Sequence, residues 1–169
     1  MGRRLRQSLS GGGCDHSLNW HPEYADPAVG SFLPALEWVC ERTDGAILEL
    51  GGGYFSTPYL ASWHERGRLV TTYEFDASWA EMLRERFQHR ITDSLPLGHW
   101  SVVLVDCEGW SREPYFKALQ FRTEVFVVHD SQDDWIPAHL LERYRYRRDL
   151  DENPRTTVVS DLLDVSEIP

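Results

Sequence analysis

The stretch AILELGGGYFSTPYL, residues 46–60, decides the fold. Ala46 to Leu50 form an apolar run of strand length broken by one carboxylate, Glu49, and a helical pattern opens near Ser56. Gly51, Gly52 and Gly53 join the two. A strand, a tight turn and a helix in this order begin a βαβ unit; glycine in the turn lets the backbone bend sharply and lets a ligand approach without meeting a Cβ. An ordinary strand-to-helix turn needs neither the acid nor three glycines.

Outward from this stretch the same alternation repeats. Apolar runs at 69–75, 101–106 and 124–130 are separated by helical stretches at about 56–66, 77–88 and 112–120. That order predicts a parallel sheet with right-handed crossovers. The uninterrupted apolar character of SVVLVD and EVFVVHD suits central strands covered on both faces. Upstream, Asp26-Pro27 caps and opens a helix with apolar residues from Val29 to Cys40 at spacings of three and four, ending near Asp44-Gly45. Downstream, a helix near 133–141 and strands near 143–148 and 156–160 finish the sheet with an antiparallel edge. The whole reads as a compact, Rossmann-like, three-layer α/β fold over residues 27–169, preceded by an N-terminal tail or lid at 1–26.

One crossover is too short. Between Phe87 and Ser101 there is room for a brief strand at HRIT, residues 89–92, but not for a helix as well. The fold therefore lacks one crossover helix, and one sheet face is thinly covered. Either the N-terminal segment, with His16, Trp20, His21 and Tyr24, or a second subunit in a homodimer is expected to fill it.

Composition narrows the partners. A chain of 169 residues with 41% hydrophobic and 12% aromatic content supports one domain with a sizeable core. A formal charge of −10 and a pI near 5.1 repel a phosphate backbone, which disfavours nucleic acid. The basic run RYRYRRD at 143–149, read as a strand, sends Arg143, Arg145 and Arg147 to one face and Tyr144, Tyr146 and Arg148 to the other; a solvated face is favoured over anion binding. Cys14, Cys40 and Cys107 lack metal-type spacing and cannot all pair within the chain, which points to a reducing, cytoplasmic setting. No apolar run approaches the roughly 20 residues of a membrane span, and the N-terminus lacks the apolar core of a signal peptide.

In open α/β sheets ligands bind outside the carboxyl ends of the strands, where strand order reverses. Glu49 and the glycines stand at such an end. Glu74, in TYEFD, closes the second strand about 20 residues on, the spacing at which a carboxylate accepts the two hydroxyls of a ribose. A pyrophosphate would be repelled by Glu49, whereas a cofactor carrying an ammonium and a sulfonium suits acidic surroundings.

On these residues the sequence resembles the class I S-adenosylmethionine-dependent methyltransferases. ELGGGYF matches their motif of an acid followed by spaced glycines, with Phe55 at the third glycine. The resemblance implies that Glu49, Gly51, Gly52 and Gly53 lie against the methionine part of the cofactor. It implies also that Glu74 binds the ribose and Asp93, in ITDSLP, the adenine amine.

Methyl transfer is an in-line displacement, so the protein must align an acceptor and, for a hydroxyl, take its proton. Asp106 ends one central strand and the pair His129-Asp130 ends the next. These termini resemble those of metal-dependent O-methyltransferases of the catechol and macrocin type and of the cephalosporin-hydroxylase-like proteins, which grip magnesium with acidic strand ends. Three readings stay open for Asp106, His129 and Asp130: a divalent metal site (magnesium or manganese), a metal-free site with His129 as general base, and a structural role in which Asp130 caps a helix. Glu108, Trp110 and Tyr54 are candidates for the acceptor pocket, and Asp133 and Asp134 read as the first turn of a helix. The expected function is O-methylation of a small or sugar-like metabolite. The alternative is a methyltransferase-like module that binds a cofactor or a protein without catalysis.

Overall fold

The computed structural model describes residues 30–107, 109–133, 135–151 and 153–169. The tail or lid at 1–26, the helix start expected at Asp26-Pro27, Glu108, Asp134 and the Trp110 side chain lie outside the described residues.

Seven strands form one sheet: β1 (Ile47–Leu50), β2 (Val70–Tyr73), β3 (Arg90–Thr92), β4 (Trp100–Val105), β5 (Thr123–Val128), β6 (Tyr146–Leu150) and β7 (Thr156–Ser160). Their order is β3-β2-β1-β4-β5-β7-β6, parallel from β3 to β5, with β7 antiparallel to both β5 and β6. The helices are α1 (Leu33–Glu41), α2 (Ser56–Glu65), α3 (Ala77–Arg86), α4 (Gly109–Leu119) and α5 (Ala138–Leu141).

Strand alternation divides the core in two. Ile47, Val70, Val102, Leu104 and Val125 pack beneath α1 and α2, whereas Leu48, Leu50, Val103, Val105 and Phe126 pack beneath α4 and α5. All four residues of β1, and all six of β4, are buried, as expected for strands covered on both sides. Among the described residues no helix is long and apolar enough to cross a membrane.

The short crossover is as read. Residues 93–99 join β3 to β4 without a helix. The link is held by the Trp100 indole donating to Pro96 O (3.2 Å), by Arg122 donating to Leu97 O (3.0 Å), and by Leu95 packing on the second core.

Three details differ from expectation. The helix α1 starts at Leu33, with a proline in its first turn, and ends at Glu41. Past that end Arg68 turns inward and donates to Cys40 O, Gly45 O and Thr43 Oγ1, satisfying carbonyls that the helix leaves open. In the basic run, the strand begins only at Tyr146; Tyr144, in the preceding turn, packs on Phe116 and Phe126 while Tyr146 packs on the opposite core. Beyond β5 the chain makes a 3-10 turn at Ser131–Asp133 before the four-residue α5, in place of one helix from 133.

Gly51 and Gly67 both have positive φ, +87° and +91°, but differ in surroundings. A Cβ on Gly51 would lie 2.6 Å from Asp106 O and 2.7 Å from Cys107 Cα, whereas one on Gly67 would meet nothing within 4 Å. Gly67→Ala should therefore cost only the left-handed backbone penalty of about 1–2 kcal/mol. Gly51→Ala adds overpacking against backbone and should cost roughly 2–5 kcal/mol in urea unfolding. Equal losses in the two variants would show that the turn after β1 is not packed against the end of β4.

Candidate active site

Glu49 faces the α2 side of the sheet with no solvent exposure. Thr57, in the first turn of α2, donates its hydroxyl to the Glu49 carboxylate (3.0 Å) and accepts from the Gly53 amide (2.9 Å). From β2, Thr72 donates to Glu49 Oε2 at 2.5 Å. With that proton committed, the His89 ring, 2.9 Å from Thr72 Oγ1, supplies a proton from Nε2. Burial, aided by neighbouring His64, lowers the His89 pKa to about 4, so the ring is neutral. Glu49 moves the other way: burial outweighs the hydroxyls that favour its charged form and raises its pKa to about 7. The acid of the glycine motif thus sits under the turn and acts on it through Thr57.

Glu74 ties the next strand end to the same turn. Its Oε2 accepts from the Gly52 amide (3.0 Å) and its Oε1 from the Asp76 amide (2.9 Å), and burial raises its pKa. The Phe75 amide also favours its charged form, and the carboxylate keeps room for a further donor. Trp79 of α3 donates its indole N–H to Gly52 O (2.7 Å), and Tyr54 meets the Trp79 ring edge-on at 5.2 Å. A side chain on Gly52 would overlap Leu83, but one on Gly53 would meet only Ser56 Oγ, at 3.1 Å. Ser56 Oγ is buried beside the Glu49 carboxylate and favours its charged form, without completing a well-formed hydrogen bond among the described residues. The space that a Cβ on Gly53 would fill fits a group bound against this turn. Asp93 is exposed on the short crossover, where its carboxylate accepts from Ser94 (3.4 Å).

The second cluster adjoins the first, because Gly51 packs on the backbone of Asp106 and Cys107. His129 Nδ1 donates to Asp106 Oδ1 at 2.9 Å. Asp130 Oδ2 lies 3.9 Å from the same nitrogen, and Asp130 adopts φ +50°, strained for a residue with a Cβ. Exposure sorts the three: the side chain of His129 is 1% exposed, Asp106 15% and Asp130 31%. His129 Nε2 faces Ser31 Oγ at 3.5 Å, the Ser31 hydroxyl donates to Pro154 O, and the Phe32 ring lies edge-on at 4.7 Å. The imidazole is an inner support, and the carboxylates are the groups turned outward.

Arg112, which carries no local signal in the sequence, organises this cluster. It donates from Nε to Cys107 O (2.7 Å) and from Nη1 to His129 O, and Nη2 lies 3.5 Å from Asp130 Oδ2 and 3.7 Å from Asp106 Oδ1. Thr57, Thr72, Ser31 and Trp79 were likewise not singled out; only Thr57, beside the turn at a helix start, had a local cue.

No protein-family model matches the sequence, and no curated protein is significantly similar to it. Solved structures are similar in fold. WbdD, a bifunctional kinase-methyltransferase, matches with a TM-score of 0.54 at 14% identity over 86% of this chain; the chain spans only 43% of WbdD. An O-methyltransferase from Bacillus cereus in complex with SAH matches with a TM-score of 0.57 at 16% identity, covering 85% of this chain and 86% of that one. Human methyltransferase-like protein 13 with SAH gives 0.55 at 15%, covering 82% and 83%. The fold is that of the class I methyltransferases.

The Glu49 shift makes a stability prediction. Its folded pKa of about 7 lies above the ordinary 4.5, so the folded state binds the extra proton and stability is lost as pH rises from 4.5 through 7. Relative to Glu49→Gln, the protein should lose on the order of 3 kcal/mol between pH 5 and pH 8 in urea unfolding. A difference that does not change with pH would refute the shift.

Proposed function

We propose that the protein is an S-adenosylmethionine-dependent methyltransferase acting on an oxygen of a small or sugar-like metabolite. The observation that carries this reading is the direct packing of the glycine turn on the Asp106 backbone, which sets a cofactor cradle beside outward-facing carboxylates. The residues fit the cofactor: Gly53 leaves a space that a Cβ would fill, and the Glu74 carboxylate at the neighbouring strand end has room to accept from a ribose hydroxyl. Bound there, the cofactor supplies an electrophilic methyl group on a sulfonium.

The chain's own residues do the rest. Asp106 and Asp130 would orient an acceptor hydroxyl, and Asp106 would hold the proton that the hydroxyl gives up. His129, donating to the far side of Asp106, fixes the carboxylate's direction. As a proton acceptor through Nε2 the imidazole is poorly placed, since Ser31 covers that atom. The buried cysteines Cys40 and Cys107 suit a reducing, cytoplasmic setting. A second copy of the chain over the thin face near exposed Leu97 is the homodimer of this reading.

A divalent magnesium or manganese ion is the second reading, favoured by one ligand atom each from Asp106, His129 and Asp130 within 4.8 Å of one another. Arg112 faces the same carboxylate oxygens, so the present arrangement fits a metal poorly, and no step is routed through one. A non-catalytic module would keep the cradle and have no use for strained, clustered acids.

Calorimetric titration with S-adenosylmethionine and SAH tests the reading. Micromolar binding is expected, weakened at least tenfold in Glu74→Ala. Asp106→Asn should keep the affinity for SAH while losing methyl transfer to a hydroxyl acceptor by roughly a hundredfold or more. Absence of binding to the unmodified protein would sink the proposal, and binding without any turnover across acceptor panels would favour the module.

A further inference from the structure

We infer that Arg112 is the resident cation of the strand-end cluster, a positioning residue that takes the place of a divalent ion and keeps one from binding. This deepens the reading above because it concerns the same residues, but its test reads metal binding rather than turnover, so the two can fail separately.

All three guanidinium nitrogens are engaged. Nε and Nη1 donate to the carbonyls of Cys107 and His129, the residues that follow and close β4 and β5, while Nη2 points between Asp106 and Asp130. The Arg112 side chain is only 6% exposed. Guanidinium is a planar fork that stays charged at any working pH, and a fork anchored on two backbone carbonyls cannot swing out like a surface lysine. Its charge is therefore a fixed part of the site.

An ion bound to Asp106 Oδ1 and Asp130 Oδ2 at about 2.2 Å would lie no more than about 6 Å from Nη2, with little water between to screen the two. It would also have to displace the Nδ1 proton of His129 from its 2.9 Å bond to Asp106. The acids are already neutralised in part by Arg112, and the imidazole is already spent on Asp106. What remains is two acids set against one guanidinium, turned outward through partly exposed carboxylates, which suits a neutral hydroxyl acceptor beside a cationic methyl donor.

Manganese binding, followed by electron paramagnetic resonance on the full chain, decides the matter. The unmodified protein should bind Mn²⁺ no more tightly than about 1 mM. Arg112→Lys, which keeps the charge, should behave the same. Arg112→Met should bind at least tenfold more tightly, and the added Asp130→Asn change should abolish the gain. Should Arg112→Met fail to fold by circular dichroism, Arg112→Gln, which can still donate to a carbonyl, takes its place with the same expected gain. Micromolar Mn²⁺ binding by the unmodified protein that Asp106→Asn removes would overturn the inference, and so would a folded neutral variant that gains no affinity.

Discussion

The buried carboxylate of Glu49 is the constraint on which the site is built. A carboxylate taken wholly out of water is costly unless donors surround it. Here the donors come from α2 through Thr57 and from β2 through Thr72. Satisfying one acid thus pins two separate elements to the end of β1. Thr57 carries the restraint onward, since the hydroxyl that donates to Glu49 accepts from the Gly53 amide. The donors do not fully offset the desolvation, as the raised pKa records. A strand of valines would be more stable and would leave the turn free to wander. Stability here is exchanged for a fixed turn, a pattern expected where geometry matters for function.

From that turn the geometry passes to the neighbouring strand ends through backbone. Gly51 can pack on Asp106 and Cys107 only without a Cβ, and Glu74 binds the Gly52 amide rather than a side chain. On the far side Arg112 does the equivalent work between the ends of β4 and β5, again on carbonyls. Four consecutive parallel strand ends are therefore linked by contacts that each use a backbone group on at least one side.

The strands were legible because each is an apolar run long enough to cross a covered sheet, and the missing helix because too few residues separate Thr92 from Trp100 to build one. The glycine turn and Glu74 were legible from spacing. Arg112 was not, since what makes it important is two backbone carbonyls and two carboxylates just past the ends of β4 and β5, which sequence spacing does not bring beside it. The inward position of His129 was hidden for the same reason: Ser31 and Phe32 cover it from almost a hundred residues away. Local pattern misled at RYRYRRD as well, where an even alternation was assumed from Arg143, three residues before the strand begins, sending Tyr144 to the wrong face.

Charge distribution explains why such a small domain can present its acids outward without loosening the sheet. Parallel strands direct their carboxyl ends to one edge, and acids collected at that edge repel one another. Arg112 answers that repulsion from beneath, and the hydroxyls of Thr57 and Thr72 answer Glu49 without adding charge. The two solutions differ for a reason. Glu49 is sealed from solvent and can relieve itself by binding a proton near neutral pH, whereas Asp106 and Asp130 stay partly exposed. A fixed guanidinium on their inner side leaves both carboxylates an open outer side, the arrangement that the proposed acceptor, aligned from solvent, would use.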